Sequence, residues 1–167
     1  MSHLQHKATS PASVRCFVLT ISDTRTSAND TSGRAIEDLL KGGGHQVADR
    51  AIVRDDPDAI RKILLEQFEG SSTQVIITTG GTGITSRDST YEVVCNLLEK
   101  RLDGFGELFR MLSYEDIGAA AMMSRACAGR ARGKLIVSLP GSENAVRLAM
   151  NKLILPELGH LVRELSR

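Results

Sequence analysis

Gln74-Val75-Ile76-Ile77-Thr78-Thr79, running straight into Gly80-Gly81-Thr82-Gly83, decides the architecture of this chain. A short, unbroken run of β-branched apolar residues without polar alternation is the pattern of a strand covered on both faces. Such a strand requires helices on both sides of its sheet. Residues 14–22 (V-R-C-F-V-L-T-I-S) repeat the pattern, and residues 134–139 (K-L-I-V-S-L) repeat it again. Between these runs the spacing changes to that of helices. Ile36, Leu39 and Leu40 share one helical face after a candidate cap at Ser32, and Gly42, Gly43 and Gly44 stop that helix. Pro57 opens a second helix carrying Ile60, Ile63, Leu64 and Phe68. A third, capped by Ser89 or Thr90, carries Val93, Val94, Leu97 and Leu98.

Residues 46–53 form a weaker, partly polar strand candidate. Residues 105–112 read as helical, and the small apolar residues 118–124 suit close helix packing, with Met122 and Met123 in the core or in a subunit contact. Arg132-Gly133 fits a tight turn between strands at residues 126–131 and 134–139. Pro140-Gly141-Ser142 launches a long C-terminal helix that Pro156 should kink or split. The alternation of strands and helices implies an α/β fold with a mostly parallel sheet. It predicts one domain over residues 14–167 behind a flexible tail, residues 1–13.

Composition excludes several functions. Four Phe, two Tyr and no Trp leave little to stack on unpaired bases. Lys and Arg total 21 against 20 Asp and Glu, so no nucleic acid partner is expected. The cluster Arg125, Arg130, Arg132 and Lys134 reads as a solvated face or an oligomer contact. Cys16, Cys95 and Cys127 lie far apart in sequence without a Cys-x-x-Cys pair, which predicts free thiols in a reducing compartment. No segment has the apolar length of a membrane span or a signal peptide, so a cytoplasmic protein is expected and no membrane partner.

In open α/β sheets ligands bind beyond the carboxyl ends of the strands. Polar segments fall at four such ends: residues 20–23, 54–56, 78–88 and 139–142. In Thr79-Gly80-Gly81-Thr82-Gly83, glycines let backbone N–H groups approach an anion without Cβ obstruction, and the threonine hydroxyls add donors. The same residues could form a plain tight turn. Neither a P-loop nor the complete dinucleotide fingerprint is present. Gly81→Val is expected to block a ligand while sparing the fold. Asp55 and Asp88 lie past strand ends and would suit Mg²⁺, a hard ion taking oxygen ligands. On spacing alone, a helix cap accounts better for Asp55, and an ion pair with Arg87 or a cap on the next helix for Asp88. Asp56 suits the cap before Pro57 better than Asp55 does. Ser142 is placed to cap the following helix, with a phosphate role open to it.

Taken together, Ile21-Ser22-Asp23, Asp30-Thr31-Ser32-Gly33, residues 78–85 with Arg87-Asp88-x-Thr90, and Leu139-Pro140-Gly141-Ser142 resemble the MoaB/MogA family of molybdenum-cofactor biosynthesis proteins. Residues 104–115 and Ser124-Arg125 resemble its MoaB branch. The resemblance runs in order from about residue 14 to about residue 161. It implies a three-layer α/β/α fold and a trimer or hexamer. It also implies Mg²⁺-dependent adenylylation of molybdopterin with ATP, and other enzymes of the pathway as partners. By resemblance, Asp55 and Asp88 correspond to the family's two essential aspartates and would hold Mg²⁺. Gly80, Gly81, Thr82 and Gly83 with Thr79 would cradle phosphate, and Ser22, Gly141 and Ser142 would line the pterin end. The family's first aspartate often follows Pro whereas Arg54 precedes Asp55 here, which leaves Asp56 as the alternative acid. A non-catalytic molybdopterin carrier using the same crevice is the rival reading.

Overall fold

The computed structural model describes residues 8–70 and 72–167. The sheet has six strands: β1 (Arg15–Ile21), β2 (Gln46–Val53), β3 (Val75–Thr79), β4 (Lys100–Arg101), β5 (Cys127–Ala131) and β6 (Lys134–Leu139). Their order across the sheet is β2-β1-β3-β6-β5-β4. The first three pairings are parallel, and β5 runs antiparallel to both β6 and β4. The β5–β6 hairpin turns at Arg132 (φ 47°) and Gly133 (φ 78°), two successive left-handed residues that match the twist of the flanking strands. The expected mostly parallel α/β sheet is thus present, with an antiparallel edge.

The helices are α1 (Thr31–Gly42), α2 (Pro57–Gly70), α3 (Thr90–Leu97), α4 (Asp103–Ile117), α5 (Glu143–Ala149) and α6 (Leu155–Leu165). Successive strand side chains point to opposite faces, and this separates two cores. Cys16, Val18, Val75 and Ile77 join α1, α4, α5 and α6 through Ile36, Leu40, Phe109, Val146 and Leu158. Phe17, Leu19, Ile21 and Ile76 join α2 and α3 through Ile60, Leu64 and Val94. The result is three layers, helix–sheet–helix. No helix among the described residues is long and apolar enough to cross a membrane.

Several local expectations change. The cap of α1 is Asp30 rather than Ser32, because the helix already begins at Thr31. Asp30 Oδ1 accepts the Gly33 amide at 3.0 Å, while Oδ2 accepts the Thr20 hydroxyl at 2.7 Å and Arg50 at 3.3 Å. Its burial is complete. Residues 118–123 form a 3₁₀ turn rather than a packed helix, and Met122 stands 77% exposed, so the methionine pair is not core. The C-terminal helical run widens into a π turn over Met150–Ile154, which places Pro156 in the first turn of α6, where its missing N–H is harmless. Cys95 on α3 and Cys127 on β5, distant in sequence, lie with sulfurs 3.5 Å apart as free thiols. Of the tail expected over residues 1–13, residues 1–7 lie outside the described residues. The Pro11 carbonyl lies 2.5 Å from where a Cβ on Gly159 would stand.

Candidate functional site

β1 and β3 are neighbours although β2 separates them in sequence, so the chain reverses its direction of travel across the sheet between them. The crevice such a reversal opens lies at the strands' carboxyl ends. There Gly80 takes φ 100°, and a Cβ on it would lie 2.2 Å from the Ile21 carbonyl oxygen. Only glycine allows this contact. The Gly80 amide donates to the Leu139 carbonyl at 3.0 Å, and the Thr79 hydroxyl donates to the Pro140 carbonyl at 2.9 Å. Gly141 fits against Gly80, with its hypothetical Cβ 3.4 Å from Gly80 Cα. The ends of β1, β3 and β6 are therefore locked together, and the turn at residues 80–83 projects from a rigid base.

Both predicted acids lie on this turn. A Cβ on Gly81 (φ 67°) would sit 2.9 Å from Asp55 Oδ2, and one on Gly83 would sit 2.6 Å from Asp88 Oδ2. Asp55 Oδ1 accepts the Ser89 hydroxyl at 2.7 Å and its amide at 3.3 Å, which leaves Oδ2 turned to Gly81. Asp88 Oδ2 accepts the Thr85 hydroxyl at 2.5 Å and its amide at 2.9 Å. The Thr85 hydroxyl above all, then the Thr85 and Gly83 amides and the Arg125 charge, holds the Asp88 carboxyl below its ordinary range. Asp56 turns the other way and caps α2, accepting the Ala59 amide at 2.8 Å. Of the two candidate acids it is Asp55 that faces the loop.

Two open clefts flank the acids. One, of about 440 Å³, is lined by residues 80–83 together with Ile21, Asp88, Ser124 and Gly141. The other, of about 430 Å³, is lined by Asp23, Arg54, Asp55, Asp56 and Arg87. Gly80, Gly81, Thr82, Gly83, Asp55, Asp88 and Gly141 thus converge, whereas Thr79 is fully buried beneath them with its hydroxyl given to Pro140. Ser22 and Ser142 are less direct. The Ser22 hydroxyl accepts the amides of Thr24 and Arg25 and shapes the turn after β1. Ser142 caps α5 by accepting the Ala145 amide at 3.4 Å, and lines an adjoining cavity with Asp116 and Asn144.

Gly81→Val would do more than block a ligand. A Cβ there would lie 2.0 Å from the Thr90 hydroxyl, so the start of α3 and Asp55 would have to move. The expectation of an intact fold is withdrawn for that substitution.

Sequence reasoning gave no site role of their own to Asp23, Arg87 or Arg125. Asp23 receives the Asp55 amide at 3.1 Å and Arg87 at 2.5 Å, which together hold its carboxyl below the usual range, Arg87 foremost. Arg125 reaches the loop itself. It donates to the Thr82 carbonyl at 2.9 Å and to the Gly83 carbonyl, and pairs with Glu92. The solvated-face reading of Arg125 is therefore wrong, whereas Arg130 and Arg132 do pair at the surface with Glu99 and Glu69. Spacing could not reveal the contacts of Arg125, whose partners lie 33–43 residues away, although the resemblance includes Ser124-Arg125.

Among the described residues no group of three or more His, Cys, Asp or Glu is gathered to hold a metal. Two carboxylates beside a phosphate-sized turn nevertheless fit Mg²⁺, which keeps several waters and is bound by one or two carboxylates plus substrate phosphates.

The family described as probable molybdopterin binding domain matches residues 17–160. A Bacillus cereus protein named Molybdenum cofactor biosynthesis protein B is 54% identical over 168 residues, covering 100% of this chain and 99% of the relative. A crystal structure of a protein of that name superposes with a TM-score of 0.91 at 54% identity, covering 95% and 99% of the two chains. The tungsten cofactor synthesizing protein MoaB from Pyrococcus furiosus superposes with a TM-score of 0.82 at 36% identity, covering 95% and 100%. Matched over its whole length at 54% identity, with residues 17–160 inside the domain, the chain belongs to the MoaB proteins of the molybdopterin-binding domain family.

Proposed function

We propose that this protein acts in molybdenum cofactor biosynthesis by adenylylating molybdopterin with Mg²⁺-ATP. The observation that carries the reading is that Asp55 and Asp88, from separate strand ends, both lie against one glycine turn. The terminal phosphate of the pterin attacks the α-phosphorus of ATP, an O–P bond forms, and pyrophosphate leaves. Such a reaction needs little acid–base work and is governed by positioning and charge neutralisation. In the turn the Gly81 and Thr82 amides donate to phosphate oxygens, because the Gly80 amide is already given to the Leu139 carbonyl. Gly141 keeps the approach beside Gly80 open, and Ser142 with Ser22 borders the pterin end. Mg²⁺, held by Asp55 Oδ2 and Asp88, supplies charge neutralisation when bound.

The subunit contact in this reading is the exposed apolar face of Leu108, Met111, Tyr114 and Ile117, three residues apart along α4, continued by Met122. A trimer or hexamer built there works in the cytoplasm and hands the adenylylated pterin to the enzyme that inserts the metal.

The test is adenylylation of molybdopterin by the purified protein with Mg²⁺ and ATP, comparing wild type with Asp88→Ala. Product formation by the wild type and its loss in the variant are expected. Pterin binding without turnover would instead make the protein a carrier.

A further inference from the structure

Arg125 is the residue whose position the proposed chemistry does not yet explain. It lies just before β5, outside the turn and outside the acids, yet its guanidinium ties four groups of the site. Nε donates to the Thr82 carbonyl at 2.9 Å, one terminal nitrogen donates to the Gly83 carbonyl, and both terminal nitrogens meet the Glu92 carboxylate. Its carbon lies 4.8 Å over the Tyr91 ring. Tyr91 and Glu92 stand in the first turn of α3, which begins at Thr90 just after Asp88 and Ser89. The side chain is 26% exposed.

A peptide plane carries its C=O and the next N–H in opposite directions when trans, and there are no cis peptides among the described residues. Two consecutive carbonyls aimed at Arg125 therefore turn the amides of Gly83 and Ile84 away from it. The Asp88 carboxylate is close to Gly83, with Oδ2 2.6 Å from where a Cβ would stand, and the Gly83 amide helps to hold it below its ordinary range. We infer that Arg125 is the positioning residue of the phosphate turn: it fixes which way the loop amides face and, through them, where Asp88 is held. The planar fork of arginine is needed, because a single ammonium cannot bridge two carbonyls and a carboxylate in one plane. The inference rests on the adenylylation reading for its functional consequence and on the geometry alone for its structural one.

The experiment compares Arg125→Lys and Arg125→Ala with Glu92→Gln, which weakens the ion pair but leaves the carbonyl bonds. In the ligand-free protein, backbone amide NMR resonances of Gly81, Gly83 and Ile84 should shift in both Arg125 variants and stay near wild type in Glu92→Gln. In the adenylylation assay kcat should fall about tenfold or more, the scale of a small misplacement, in Arg125→Lys as well as Arg125→Ala. KM for ATP should stay within about threefold, and added guanidinium ion should restore part of the Arg125→Ala loss. Unmoved loop amides, or Arg125→Lys turning over at the wild-type rate, would overturn the inference. If the wild type does not adenylylate, the functional reading falls, and the NMR comparison still decides the role of Arg125.

Discussion

Asp55 and Asp56 are neighbours in sequence and should separate cleanly in experiment. Asp56 accepts the Ala59 amide at 2.8 Å and closes the start of α2. Removing a side-chain cap costs about 1 kcal/mol, which for a chain of this size lowers Tm by about 2–4 °C. Asp56→Ala should show that shift by calorimetry and keep adenylylation within about twofold of wild type. Asp55→Asn keeps an oxygen to receive the Ser89 hydroxyl, now at 2.7 Å, but removes the negative charge beside Gly81. Its stability should change by no more than about 0.5 kcal/mol, as for most substitutions away from the core. Its turnover should fall about 10²-fold or more, the loss typical of removing one preorganised electrostatic group. Chromatographic quantification of adenylylated molybdopterin, alongside the melting curves, reads both effects on the same samples. The reverse pattern, with Asp56→Ala slow and Asp55→Asn unaffected, would refute the assignment and move the functional acid one position along.

Gly83→Ala needs no strained φ, but its Cβ would begin 2.6 Å from Asp88 Oδ2 and the acid must retreat toward the 3.4 Å of ordinary contact. Turnover should drop about 10²-fold with little change in Tm, and full activity would show that the place of Asp88 is unimportant. Asp30→Ala strips the Thr20 hydroxyl and Arg50 of a fully buried acceptor. Urea unfolding should report a loss of about 3–5 kcal/mol, and a loss below about 1 kcal/mol would contradict that network. Burial pushes the Cys16 thiol up to about 12 and raises Cys127 as well. The folded state then binds more protons than the unfolded one above pH 9, so this stabilisation is complete below about pH 9 and lost as pH rises toward 12. Urea midpoints at pH 8 and pH 10.5 should differ less in Cys16→Ala than in wild type, and an equal fall would rule out the thiol as the cause. Chelation of Mg²⁺ should weaken binding of inorganic pyrophosphate, measured by calorimetry, whereas Asp55→Asn/Asp88→Asn should bind it equally with and without the ion; metal-independent binding by the wild type would remove the metal from the site.

The fold was legible because its strands are doubly covered. Val75, Ile76 and Ile77 are each buried, alternately in the two cores, so the first three positions of β3 are all apolar and only its carboxyl end, Thr78 and Thr79, is polar. The glycine turn was legible for a related reason: Gly80 cannot carry a Cβ against Ile21, and the sequence keeps two glycines where the strand stops. What escaped were contacts formed between elements. The cap of α1 was misread by two positions because Ser32 and Asp30 are both good capping residues. Only the Thr20 hydroxyl and Arg50, arriving from β1 and β2, favour the acid. Arg125 was hidden in a cluster of basic residues of which Arg132 does face solvent, pairing with Glu69 at the surface. The approach of Cys95 to Cys127 needs α3 to pack over β5 and β6, and no spacing rule reports that.

The electrostatics of the site follow from one arrangement. Asp88 sits on the Thr85 and Gly83 amides, donors of the kind a bound phosphate would use, so the loop already holds an anion of its own. Asp55 adds a second carboxylate beside Gly81. Both carboxylates repel an arriving anion, and they do so more strongly in a cleft than in bulk water. A phosphate arriving at this turn is therefore opposed by both acids unless a cation bridges them. The nearest fixed cation at the turn, Arg125, is directed to carbonyl oxygens and to Glu92, away from the cleft side of the amides. Arg87 is likewise engaged by Asp23. A turn built to receive phosphate but lined with acids, its neighbouring arginines already paired, is a turn that binds phosphate together with a divalent ion or binds it weakly. That coupling is what a nucleotide delivered as its Mg²⁺ complex provides.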